Sequence, residues 1–388
     1  MAKKTQEEAV NNNSEVTKNV IDALLGGYKD THYGHLKPKR IIIPSGSLKL
    51  DSFATVRSGT AIRNGGPPEA GKTSQAFLWA ANYMTTLPKA KTVYVNAEAK
   101  LSEELQKNTG LKFVWKGEDW DYGTVLVLET NVCETVGDML VSLLKTAYEQ
   151  GEHICIIIDS VDMLVSVKDL DKKLTDNKSP AGVNKLTKEL LRKIGHLVRG
   201  FDAFLIFITQ YAATFNPDPY SKTAPSMMEG NNVHGINHSC SYGFYYLQKT
   251  SKSYILEDED APPDPVKNKI LGIYARVKLS KTSTGNTGYT IEIPIKKGRI
   301  GNAVWVEKEV TDLTLSYQIL NKVSKGWFGF DPHIIKEAKA DGVELKEKIN
   351  GIANVYEYLE TDTAAFQWLK KKVETLIRIK QSSENETV

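Results

Sequence analysis

Two segments of this chain, residues 154–158 and 203–208, are apolar at consecutive rather than alternate positions. Strand-length runs of that kind are buried on both faces of a sheet. Residues 60–64, 92–95 and 125–128 read as further strands, and segments 72–84, 136–148 and 184–198 carry helical apolar spacing between them. Strands alternating with helices predict an α/β fold with a mostly parallel central sheet covered on both faces. Three later segments, 242–247, 271–279 and 289–295, read as strands joined by hairpin-type links. Upstream, Val16, Val20, Ile21, Leu24 and Leu25 form one stripe of a short helix over 14–25, capped by Ser14 and ended by Gly26-Gly27. Its stripe must be buried against its own core or a neighbouring subunit. Past about residue 305 the pattern changes to short helices with polar breaks. The expected organisation is a tail and oligomerisation helix (1–35), a core (36–304) and a small C-terminal lobe (305–388).

The 388 residues are 41% hydrophobic and 25% charged, as in soluble globular proteins. A formal net charge of +3 is too small to imply a polyanionic partner without local patches. The three cysteines, Cys133, Cys155 and Cys240, lack metal or redox spacing and suit a reducing compartment. The apolar runs are too short to span a bilayer, so no membrane partner and a cytoplasmic location are expected.

Candidate chemistry begins with Gly66-Pro67-Pro68-Glu69-Ala70-Gly71-Lys72-Thr73, followed by Ser74, which matches G-x-x-x-x-G-K-[ST] in full. Such a loop aims successive backbone N–H groups at phosphate oxygens, and the helix after it adds its positive end. Lys72 would reach the terminal phosphates and the Thr73 hydroxyl would ligate magnesium (Mg2+). Three predicted strands each deliver a polar residue at the C-terminal end, where ligands of parallel sheets gather. Asp159 either binds magnesium beside Thr73 or caps the next turn. Glu98 is either the general base for an attacking water or a solvated loop acid. Gln210 either hydrogen-bonds a γ-phosphate or simply marks the start of a loop.

The order of the glycine-rich loop, Asn96-Ala97-Glu98, the strand ending in Asp159-Ser160 and the strand ending in Thr209-Gln210 resembles the RecA family of ATP-dependent DNA-strand-exchange proteins. The segment Ile43-Pro44-Ser45-Gly46-Ser47-Leu48-Lys49-Leu50-Asp51 resembles another family segment, and Lys325-Gly326-Trp327 looks more like the phage UvsX-type branch. The resemblance implies a RecA-like P-loop ATPase core that forms helical homo-oligomeric filaments on single-stranded DNA, with ATP and Mg2+ between subunits and homologous duplex DNA as second partner. It makes Glu98 the catalytic glutamate, Gln210 the γ-phosphate sensor and Lys281 a cation reaching the neighbour's ATP. The family's second basic residue, two positions on, is Ser283 here.

Two segments would then face DNA. Residues 168–183 contain Lys172 and Lys173 in a nearly balanced charge run, which reads equally as a solvated face. Residues 211–240 lack a regular apolar pattern and read as a long loop with Phe215, Lys222, Gly230 and Asn231 as contacts. In that loop Glu229 replaces a family glycine, and Ala212 stands where the bacterial proteins have arginine. The same residues also fit a regulatory or assembly ATPase without DNA, or a ring helicase or loader.

Overall fold

The computed structural model describes residues 40–170, 180–213, 227–229, 233–250, 253–257 and 261–386, together with Lys18, Val20, Asp22 and Ala23. After a short helix α1 (Leu48–Phe53), strand β1 (Thr60–Gly66) leads through the glycine-rich loop into α2 (Lys72–Thr86). Then come β2 (Ala90–Asn96), α3 (Glu103–Thr109), β3 (Lys112–Val114), β4 (Thr124–Leu128), α4 (Cys133–Glu149) and β5 (His153–Asp159). Helix α5 (Pro180–Gly200) and β6 (Phe204–Ala213) are followed by β7 (Met227–Glu229), α6 (Val233–Ser239) and β8 (Tyr242–Tyr246). Strands β9 (Tyr254–Leu256), β10 (Ile270–Lys281) and β11 (Thr290–Lys296) complete the large sheet.

Its order is β11-β10-β8-β1-β6-β5-β2-β4-β3, with β7 added to β6 and β9 to β10. Every pairing from β8 to β3 is parallel, whereas β10 and β11 are antiparallel. The molecule is therefore α/β with a mostly parallel central sheet. One face buries Ile62, Phe77, Trp79, Tyr83, Phe204 and Phe244, with α2 across it. The other buries Val136, Leu140, Ile156, Ile194, Phe207 and Ile236, bringing in α4, α5 and α6. Among the described residues no helix is long and apolar enough to cross a membrane.

The structure differs from the sequence reading in several places. Within 211–240, read as one loop, β6 continues to Ala213 and pairs with β7, and α6 occupies residues 233–239. Within 168–183, a helical turn spans Val167–Leu170 and α5 begins at Pro180. The C-terminal lobe holds not only helices but a three-stranded sheet of β12 (Leu320–Ser324), β13 (Trp327–Phe330) and β14 (Ile349–Asn350). Its helices are α7 (Val306–Ser316), α8 (Pro332–Ala340), α9 (Ile352–Thr361) and α10 (Thr363–Glu386), closed around Val310, Phe330, Leu359 and Leu369. Of the predicted 14–25 helix, Lys18, Val20, Asp22 and Ala23 are helical and the rest lies outside the described residues.

A buried carboxylate joins this lobe to the core. Glu309 on α7 is 0% exposed and accepts from Ser47 Oγ (2.5 Å), Leu48 N (2.7 Å) and Lys49 N (3.3 Å) at the start of α1. Nearby, Ser45 N donates to Asp51 (2.8 Å), and Gln75 of α2 donates to the Ser45 carbonyl (2.9 Å). Burial raises the Asp51 carboxyl to about 7, with the Glu309 charge adding to it and hydrogen bonds from Ser45 and the Lys370 charge opposing. A carboxyl with a higher pKa in the folded state holds its proton more tightly there than in the unfolded chain. Its contribution is complete below about pH 4 and is lost as pH rises through 7. Asp51→Asn keeps an acceptor for Ser45 N–H and is expected to raise stability at pH 8 by on the order of 1–3 kcal/mol relative to pH 5. Thermal melts of both proteins at the two pH values measure this, and an equal effect at both would rule out the titration.

Candidate nucleotide site

The ends of four parallel strands place the predicted residues. Register sets Gly66 beside Gln210 and Asn96 beside Asp159, so β1, β2 and β5 end within about two residues of one level while β6 runs on past Gln210 to Ala213. Between β1 and α2 the chain turns sharply, with left-handed φ at Glu69 (57°) and Gly71 (95°). At Gly66 only glycine fits, because a Cβ would lie 2.4 Å from the Tyr246 carbonyl oxygen.

Thr73 Oγ1 donates to Asp159 Oδ2 at 2.8 Å, and Tyr94 OH donates to the same oxygen at 3.0 Å. Lys72 is buried and donates from Nζ to the Pro67 carbonyl at 2.6 Å. Glu98 accepts from the Gln210 side-chain amide and pairs with Lys100 at 2.9 Å. Gln210 N in turn donates to Asp162 Oδ2 at 2.7 Å. Pro68, Glu69, Lys72, Thr73, Tyr94, Glu98, Asp159 and Gln210 line a cavity of about 380 Å³. The structure thus brings together Lys72, Thr73, Asp159, Glu98 and Gln210.

Electrostatics set these groups apart. Burial lifts Asp159 above the ordinary aspartate range, with Glu98 adding to it and the Thr73 and Tyr94 hydroxyls opposing. Burial lifts Asp162 as well. For Glu98 burial acts in the same sense, but hydrogen bonds from neighbouring side chains, Lys100 and Gln210 among them, outweigh it and leave the pKa below the usual value. Burial pulls Lys72 down, against the attraction of Asp159 and Glu98. A buried acid of this kind is ionised more readily beside an added cation. Among the described residues no cluster of three His, Cys, Asp or Glu side chains gathers to cage a metal. Thr73 and Asp159 fit instead the sparse oxygen set by which magnesium is held together with phosphate oxygens.

A second cavity of about 410 Å³, which the sequence reading did not find, also borders the loop. It runs from Gly71, Lys72, Thr73 and Ser74 to Leu105, Asn108, Thr109, Gly298, Arg299 and Gly301. The Asn108 carbonyl accepts from Gly301 N at 2.9 Å, which holds its two walls together. Apart from the loop residues, the walls come from segments far apart in sequence that carry no motif, so nothing in the chain signals them.

Lys281 lies at the end of β10 and donates to the carbonyls of Asn237 (2.6 Å) and His238 (3.4 Å), within its own subunit. Ser283 Oγ donates to Tyr242 OH at 2.5 Å. The predicted DNA contacts Lys172, Lys173, Phe215, Lys222, Gly230 and Asn231 lie outside the described residues.

No family model matches the chain. Over 171 residues it is 25% identical to Protein RecA of Ruminococcus albus, a match covering 43% of this chain and 39% of that protein. The similarity to RecA is distant. The chain spans about two-fifths of the length of the curated relative it matches. The mostly parallel sheet described above is compatible with a RecA-like core.

Proposed function

We propose that this protein is an ATP-dependent DNA strand-exchange recombinase that forms filaments on single-stranded DNA. The observation that supports this most directly is the convergence of Lys72, Thr73, Asp159, Glu98 and Gln210 on one cavity at the strand ends. The distant similarity to RecA extends that reading from hydrolysis to DNA.

In this reading the loop from Gly66 to Thr73 wraps the phosphates with backbone N–H groups, and Ser74 follows them on the first turn of α2. Lys72 exchanges a neutral carbonyl acceptor for an anionic one, a stronger charge-assisted contact. Magnesium held by Thr73 and Asp159 would supply charge neutralisation at the phosphates. Glu98, ionised at neutral pH, orients the attacking water and takes its proton. Gln210 binds the γ-phosphate and releases its hold on Glu98 in doing so, so the base is freed where substrate is complete. The larger cavity accepts the nucleoside, with Leu78, Leu105 and Ile273 as apolar walls and Asn108 and Thr109 as polar ones. Lys281 leaves the Asn237 and His238 carbonyls to reach the neighbouring subunit's ATP. Lys172, Lys173, Phe215, Lys222, Gly230 and Asn231 contact DNA.

ATP hydrolysis measured with and without single-stranded DNA tests this. Stimulation, together with DNA-dependent filaments in electron micrographs, is the expected result. Hydrolysis that ignores DNA would favour a regulatory or assembly ATPase of the same core.

A further inference from the structure

Arg63 is a cation inside the sheet. It lies on β1 just before the glycine-rich loop and is 2% exposed. Its guanidinium donates from Nε to Thr209 Oγ1 (2.8 Å), from Nη2 to Tyr211 OH (3.1 Å) and from Nη1 to Asn237 Oδ1 (2.5 Å). Three donors therefore hold two residues of β6 and one of α6. Gly65 provides the room, since a Cβ there would sit 2.9 Å from Arg63 Nη2 and 3.0 Å from both Thr209 Oγ1 and Tyr211 Cε2.

The two β6 residues are those on either side of Gln210. Thr209 and Tyr211 point to the α6 side of the sheet, whereas the Gln210 side chain reaches Glu98 in the candidate nucleotide site. A displacement of the strand at Gln210 must therefore move both groups gripped by Arg63. The third, Asn237, also offers the backbone carbonyl that accepts from Lys281. Ile236 anchors the same helix in the core, and Arg63 and Lys281 tether it through Asn237. A buried guanidinium is costly unless fully hydrogen-bonded, and an apolar side chain fills an interior strand position with less penalty. Stability alone does not account for arginine here.

We propose that Arg63 is a positioning residue that couples the nucleotide-facing end of β6 to α6, so that α6 and the lysine held on it respond to nucleotide occupancy. This rests on the nucleotide-site reading above but not on DNA binding. Replacement of Arg63 by methionine keeps the length of the side chain and removes the fork. Asn237→Ala removes one acceptor from a half-buried side chain and leaves the backbone carbonyl for Lys281.

Hydrogen exchange followed by mass spectrometry on the segment 233–239, with and without a non-hydrolysable ATP analogue, tests the coupling. In the wild type the analogue is expected to change exchange there by about three- to thirtyfold. In Arg63→Met and Asn237→Ala the analogue should bind with an affinity within about threefold of wild type while the response falls below about twofold. The double variant should lose no more than either single one, because the tether is already cut. A response of wild-type size in a folded Asn237→Ala protein overturns the proposal, and so does a wild-type protein that binds the analogue without any response in α6. If the wild type does not bind the analogue, the nucleotide-site reading itself fails and the proposal goes with it.

Discussion

Lys72→Ala is expected to reduce ATP hydrolysis by at least about a thousandfold, the upper range for removal of one preorganised donor to a developing charge. Its buried ammonium attracts Asp159 and Glu98, so the substitution removes one of the two lysines that line an acid-rich cavity. Folding should survive. Burial already disfavours the charged form of Lys72, and its hydrogen-bond acceptor is the Pro67 carbonyl at the mouth of the loop. Turnover and thermal melting of the same preparation separate the two effects. Wild-type turnover by a folded Lys72→Ala protein would remove the phosphate-binding assignment of the loop.

Glu98→Gln separates binding from chemistry. The amide keeps the size of the side chain and an oxygen able to accept from Gln210, but it cannot take a proton from water. Turnover should fall by about two to four orders of magnitude, while nucleotide affinity stays within a few-fold of wild type. The pair with Lys100 is lost too, but that lysine is 73% exposed, and exposed pairs contribute little. Single-turnover hydrolysis and equilibrium binding of a labelled nucleotide give the two numbers. A rate within a few-fold of wild type would transfer the base role to another acid, and Asp162, which accepts from Gln210 N, is the next to examine.

The central sheet was legible because its interior strands announce themselves. Residues 154–158 and 203–208 have no polar face, and only a sheet covered on both sides accommodates such runs. The sharp turn from β1 into α2 was legible because its backbone requires glycine at Gly66 and Gly71. Helix α6 was not, since Val233, His234, Gly235 and Asn237 are poor helix formers. It is held by tertiary contacts, Ile236 in the core and Asn237 on Arg63. Arg63 itself stood in a stretch read as a short strand, with nothing local to indicate that its partners lie on β6 and α6. Short elements such as β3 and β12 through β14 were missed because a few half-exposed residues carry no periodicity. Glu309 was hidden for a different reason. Glu307-Lys308-Glu309 holds no apolar residue, yet folding buries all three and sends Glu309 into the seam between lobe and core.

That seam has a consequence for recombining the chain with its relatives. The donors at the start of α1 belong to the core, and the acceptor that satisfies them belongs to the lobe. Ser47 and Glu309 therefore form a pair across 262 positions. A chimaera that imports a lobe without an acid at 309 would leave the buried Ser47 hydroxyl and two half-buried backbone N–H groups without that acceptor, while one that imports both partners together would keep them joined.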